Sequence, residues 1–178
     1  MSTANHPWTV AVRLDDVPEA GRKFVLAADA ATRAAVAKRA GLDGIARLEA
    51  AFEVTRAGRG GVRVIGEVSA TVRQTCVVSL EPVDNEINEA VDLVFAPGAA
   101  GAAEVEIDPA ELGAPEPPEP LIEGIVDLGA IATEFLILGI DPYPRKPEAV
   151  FEAPPEADRG AGPFAALAAL KKERRGPA

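Results

Sequence analysis

The sequence predicts an α+β fold: an antiparallel β-meander or partly open barrel with two to three short helices and a Pro-rich loop. Three observations predict it. Two long runs of alternating apolar and polar residues flank a glycine cluster, a third run of the same kind follows, and two helical patterns begin behind aspartates suited to cap them.

In chain order, Trp8 to Leu14 reads as a short strand with Trp8, Val10 and Val12 on one face. Val17 to Gly21 is a turn and Lys23 to Leu26 a second short strand. Asp29 is an N-cap for a helix to about Arg39. Lys38 and Arg39 suit the negative end of its dipole, and Gly41 closes it, with Leu42 expected to pack behind. Leu48, Ala50, Phe52 and Val54 then alternate with polar residues, as do Val62, Val64, Gly66, Val68, Ala70 and Val72. The glycine-rich stretch 57–61 between them makes the pair a β-hairpin, each strand with one core face and one wet face. Ile87 to Phe95 supplies the third strand, reached through the link around Leu80 to Asn85, where Pro82 turns the chain.

Residues 97–120 are rich in Pro, Gly, Ala and Glu, and are expected to be an acidic loop with a short strand at Val105 to Ile107. Asp127 caps a helix whose Leu128, Ile131, Phe135 and Leu138 fall on one stripe, so Phe135 and Leu138 are expected in the core; Gly139 ends it. The stretch DPYPRKP is extended, because a residue before proline is pushed out of helix. It holds Tyr143 beside Arg145 and Lys146, and reads equally as a partner-contact strip or as a wrap with Tyr143 packed. Residues 1–150 thus form one α+β domain, and 151–178 a flexible tail with a short docking helix at 163–172.

Charge is unevenly placed. Residues 1–73 hold 11 Lys/Arg and 8 Asp/Glu, residues 74–144 hold 15 Asp/Glu and no base, and residues 145–178 hold 7 basic and 5 acidic residues. An acidic block repels phosphate and attracts basic partners, although most such runs do no more than keep a surface solvated. No apolar run is long enough to span a bilayer. The first residues, MSTANHPWTV, lack the basic head and apolar stretch of a secretory signal, and the single cysteine fits a reducing compartment, so a cytoplasmic protein is expected.

Three segments, in order, resemble the YceD family of large ribosomal RNA subunit accumulation proteins. TCVVSLEPV at 75–83 is similar to the family's Cys-x-Arg-Cys-Leu-x-Pro through Cys76, Ser79, Leu80 and Pro82. DLGAIATEFLILGIDPYPRKP at 127–147 resembles the family's helix and proline-rich exit, through Asp127, Leu128, Glu134, Pro142 and Pro144. GPFAALAALKK at 162–172 resembles its terminus through Pro163, Phe164, Leu167 and Leu170. The resemblance implies a bacterial or plastid ribosome-biogenesis factor that supports accumulation or maturation of 23S ribosomal RNA. Its implied partners are a ribosomal precursor particle, a ribosomal protein or an rRNA-maturation factor, with no membrane and no small-molecule substrate. It supplies no catalytic residue to carry over.

The residues themselves point away from catalysis. Where many relatives carry a second cysteine, this chain has Ser79, and Cys76 and His6 alone fall short of the roughly four Cys or His ligands of a structural zinc site. Cys76 reads as a buried or half-buried small residue rather than a nucleophile, because the only histidine that could activate it lies near the N-terminus. Ser-His-Asp chemistry fails for the same reason. The glycine cluster sits in a hairpin and not between a strand and a helix, which excludes a phosphate loop. The acidic residues at 104–123 match no ion-binding spacing. The expectation is a non-enzymatic acidic protein with no catalytic residue, cofactor or metal.

Two routes to a ribosomal partner remain. The acidic block can attract basic proteins. Alternatively, Arg56, Arg59, Arg63, Arg73, Arg145, Lys146, Lys171, Lys172, Arg174 and Arg175 can grip RNA directly, a reading weakened by the scarcity of aromatic stacking platforms. An acidic structural or adaptor module with no ribosomal role is the third reading.

Overall fold

The computed structural model describes residues 6–58, 60–98 and 117–151. Its frame is the predicted meander. β2 (Arg22–Ala27), β3 (Gly44–Ala57), β4 (Gly61–Thr75) and β5 (Pro82–Ala96) pair antiparallel in sequence order. The alternation sets the register: Val54 faces Val64, Leu48 faces Ala70 and Ala70 faces Ile87, so each strand turns its aliphatic residues the same way. A register shift between Ile45 and Arg47 kinks the start of β3. The sheet does not close into a barrel; its far edge is β6 (Glu119–Pro120), laid parallel on Phe95 and Ala96.

α1 (Ala30–Ala40) begins and ends where its caps require. The Asp29 carboxylate accepts the Thr32 N–H at 2.7 Å, which holds the Asp29 pKa below its ordinary value, and Gly41 adopts φ 69° to stop the helix. α1 buries only Val36 and Ala37 and packs beside β3. α2 (Leu128–Leu138) is the helix that covers the sheet, lying against β3, β4 and β5. Leu48, Val64, Val68, Val72, Leu128 and Leu136 lie fully enclosed between these layers. Burial of aliphatic side chains of this size is worth about 1.5–3 kcal/mol each, so this seam is where the fold is held.

The structure corrects several expectations. The strand expected over Trp8–Leu14 is limited to β1 (Ala11–Arg13), because Leu14–Asp16 turn into a 3₁₀ helix. β1 pairs with a strand not expected from the sequence, β7 (Ile125–Asp127), which is three residues long and too short for periodicity to register. β6 was missed for the same reason, and contains a proline. The apolar stripe of α2 is also rotated from the expected one. Leu128, Ile131, Ala132 and Leu136 are buried and Phe135 is half-buried, but Leu138 is 75% exposed. The sheet beneath α2 meets the 128/132/136 row, and Leu138 lies off that row at the helix end. Pro82 opens β5 opposite Thr75 rather than sitting in the turn before it. The strand expected at Val105–Ile107, most of the acidic loop and the helix expected at 163–172 lie outside the described residues, as do Arg59, Pro163, Phe164, Leu167 and Leu170.

Candidate functional site

Two of the three motif segments meet in space. Between β4 and β5 the chain folds into a knuckle at 76–81. The Cys76 N–H donates to the Glu81 carbonyl at 2.8 Å, and the Leu80 N–H donates back to the Cys76 carbonyl at 3.0 Å. Leu80 takes φ 59°, a left-handed conformation that a bulky residue adopts only under constraint from its surroundings. The knuckle therefore holds Leu80 outward, 77% exposed.

The segment after α2 is pinned to this knuckle. The Val77 N–H donates to the Pro144 carbonyl at 2.9 Å, the Lys146 N–H to Cys76 Sγ at 3.4 Å, and Lys146 Nζ reaches Glu81 Oε2 at 2.8 Å. Gln74 adds a further tie: its Nε2 donates to the Asp141 carbonyl at 2.8 Å while its Oε1 accepts from Asn85 Nδ2 at 2.9 Å. Pro144 is buried at this seam, Pro142 is exposed, and Tyr143 is 73% exposed, which removes the reading in which Tyr143 is packed. Gln74 and Asn85 were not picked out from sequence. The available signal was Gln74 itself, a polar residue on the core face of a strand, where a buried amide requires partners.

Cys76 is buried, as its residue type suggested. Its sulfur is a hydrogen-bond acceptor, taking the N–H of Ser79 and that of Lys146, each at 3.4 Å. Hydrogen bonding from Ser79, through hydroxyl and backbone, is the largest influence on the thiol. With the Lys146 N–H it outweighs the opposing effect of enclosure and lowers the pKa from 9.0 to about 6. Ser79 thus stands where many relatives have a second cysteine and donates to the first. The sulfur joins the knuckle to the proline segment, and no imidazole or carboxylate among the described residues is hydrogen-bonded to it.

This arrangement makes a testable statement about pH. A thiol whose folded pKa is depressed stabilises the fold fully above its unfolded pKa, about 9, and loses that contribution as pH falls through about 6. The difference in melting temperature between the native chain and Cys76→Ala is expected to widen from pH 6 to pH 9. A difference that is flat across that range would show that the sulfur acts through packing alone.

Asp127, Leu128 and Glu134 lie elsewhere. Asp127 caps α2 and ties it to Val10, just before β1, Leu128 is core, and Glu134 is exposed on α2. Ser79 and Pro82 are exposed near the knuckle. Among the described residues no three His, Cys, Asp or Glu converge as metal donors.

The sequence's charge division is cancelled on the sheet surface. Arg63 makes a two-pronged pair with Asp92 at 2.8 and 2.6 Å, Arg73 does the same with Asp84 at 2.8 and 3.0 Å, and Arg47 reaches Glu86 at 2.9 Å. Hydrogen bonds from these arginines hold the Asp92 and Asp84 pKa values below the ordinary carboxylate value; Glu86 is lowered first by the Thr71 hydroxyl and then by Arg47. Arg56 donates to the Val17 carbonyl at 2.7 Å. Four of the bases expected to be free for RNA, Arg56, Arg63, Arg73 and Lys146, are therefore engaged within the chain, while Arg145 is exposed.

No helix among the described residues is long and apolar enough to cross a membrane. No curated protein and no solved structure matches the chain. A family model does: that of the large ribosomal RNA subunit accumulation protein YceD, over residues 64–171, which takes in most of β4, the knuckle, β5, α2 and the proline segment. That span is more than half of the chain and includes the two motif segments joined through Cys76 and Pro144, and the chain belongs to the YceD family.

Proposed function

We propose that this chain is a non-enzymatic ribosome-biogenesis factor of the cytoplasm that supports accumulation or maturation of 23S ribosomal RNA, and that it works through contacts with a ribosomal protein or a maturation factor. The observation that carries the reading is the family match over residues 64–171. Protein contact is favoured over RNA contact by the ion pairing on the sheet. Arginines already matched to Asp84, Glu86 and Asp92 would have to exchange those partners for phosphate. The knuckle and proline segment also favour a protein partner, since they hold Val77, Leu80 and Tyr143 exposed at one seam.

The test is a deletion strain. Ribosomal RNA profiling and sucrose gradients are expected to show a deficit of mature 23S RNA and of free large subunits relative to small subunits. Normal profiles in that strain would instead favour an acidic module unrelated to ribosomes.

A further inference from the structure

A second surface lies along the flank of α2, beside its buried row. The helix, the end of β5 and the β6–β7 segment enclose a groove of about 540 Å³. Phe95, Ile131 and Phe135 line it, and Ile122 and Leu138 stand on its banks at 67% and 75% exposed. Unlike an aliphatic side chain exposed singly, these two border one continuous apolar trough. The groove's charge is of one sign. Glu119 and Glu134 are exposed at its lip, Asp127 lies at the head of α2, His6 lies at its wall, and no Lys or Arg is among its described lining residues. Unlike Asp84, Glu86 and Asp92, Glu119 and Glu134 form no ion pair among the described residues.

The shape limits what fits. The sheet edge at the groove is β6, two residues long and containing Pro120, so it offers almost no backbone ladder for an added strand. An apolar trough with acidic lips matches a helix whose own apolar stripe is flanked by Lys and Arg. The acidic lips equally disfavour nucleic acid.

We propose that this groove is a docking site for a basic amphipathic helix of a protein partner. The inference rests on the reading of the chain as a factor that works through protein contacts, and names the surface and the partner chemistry for it.

The test uses the full chain and a fluorescent synthetic helix of Leu at heptad-like spacing with Lys elsewhere, followed by anisotropy. A matched peptide with Glu in place of Lys is the control. Saturable binding of the Lys peptide that weakens with salt, and none of the Glu peptide, is expected. The double variant Leu138→Asp/Glu134→Lys changes only exposed residues, so its melting temperature should hold while affinity falls roughly tenfold or more. Equal binding of both peptides, or unchanged affinity in the double variant, overturns the proposal. So does binding that appears only when residues 163–178 are removed, which would make the chain's own basic end the occupant. Failure of the wider reading is seen separately. If the deletion strain loses 23S RNA and the double variant restores it fully, the groove assignment is wrong and the ribosomal reading stands.

Discussion

Gly66→Ala is expected to destabilise the protein by about 3 kcal/mol or more, near the upper end of single substitutions. Gly66 lies in β4 directly opposite Phe52, on the face that carries Val64 and Val68. A Cβ there would overlap the Ala51 carbonyl oxygen and stand 2.8 Å from Phe52 Cδ1. The obstacle is the backbone of the neighbouring strand, so no rotamer change relieves it, and β3 and β4 must separate at their centre. Gly44→Ala is the control, since an added Cβ there meets nothing within 4 Å, and a change within about 0.5 kcal/mol is expected. Urea unfolding followed by circular dichroism measures both. A Gly66→Ala protein as stable as the parent would mean that the strands are not packed as closely as described.

Asp127→Ala is expected to cost about 2–4 kcal/mol, a loss on the order of 10 °C in melting temperature. One carboxylate oxygen, Oδ1, accepts from the Gly129 N–H at 3.0 Å and the Ala130 N–H at 3.2 Å, which caps α2, and from the Val10 N–H at 2.8 Å. The Leu128 N–H returns a bond to the Val10 carbonyl at 2.9 Å. Asp127 therefore joins the head of the helix to Val10, just before β1, and alanine leaves three donors without their partner. Asp127→Asn keeps an acceptor oxygen in place and is expected to retain most of the stability. Equal losses in Ala and Asn would show that the negative charge, rather than the shared acceptor, is what matters.

Asp127 also shows how far a sequence reading reaches. The cap was legible because an aspartate before an apolar helical pattern has one common use. The bond to Val10 was not, because it spans a separation of 117 residues and depends on β1 and β7 lying side by side. Leu138 shows the converse. Its spacing placed it on an apolar stripe with Leu128, Ile131 and Phe135, but helix periodicity constrains only which residues share a face, and the sheet decides which row is buried. The motif residues were legible individually. That Cys76, Pro144 and Lys146 form one joint was not, since hydrogen bonds to Sγ and to a carbonyl leave no mark on composition or period.

The sequence by itself determined the two helices and the three long strands of the meander, but not β6, β7 or the pairing of β1 with β7. Alternation at period two, a glycine turn and capping aspartates are local signals, and a meander needs only local connections. It also determined the family, through motif residues kept in order. The tertiary structure alone decided where charge is left unpaired. Residues 74–144 carry acidic residues and no Lys or Arg along the chain, but antiparallel pairing sets Asp84, Glu86 and Asp92 of β5 beside the arginines of β3 and β4, while Glu119 and Glu134 come to lie at an apolar groove with no Lys or Arg among its described lining residues. Charge along a chain is a one-dimensional sum, whereas the field a partner meets depends on distances across strands, and these exist only once the sheet and α2 are in place.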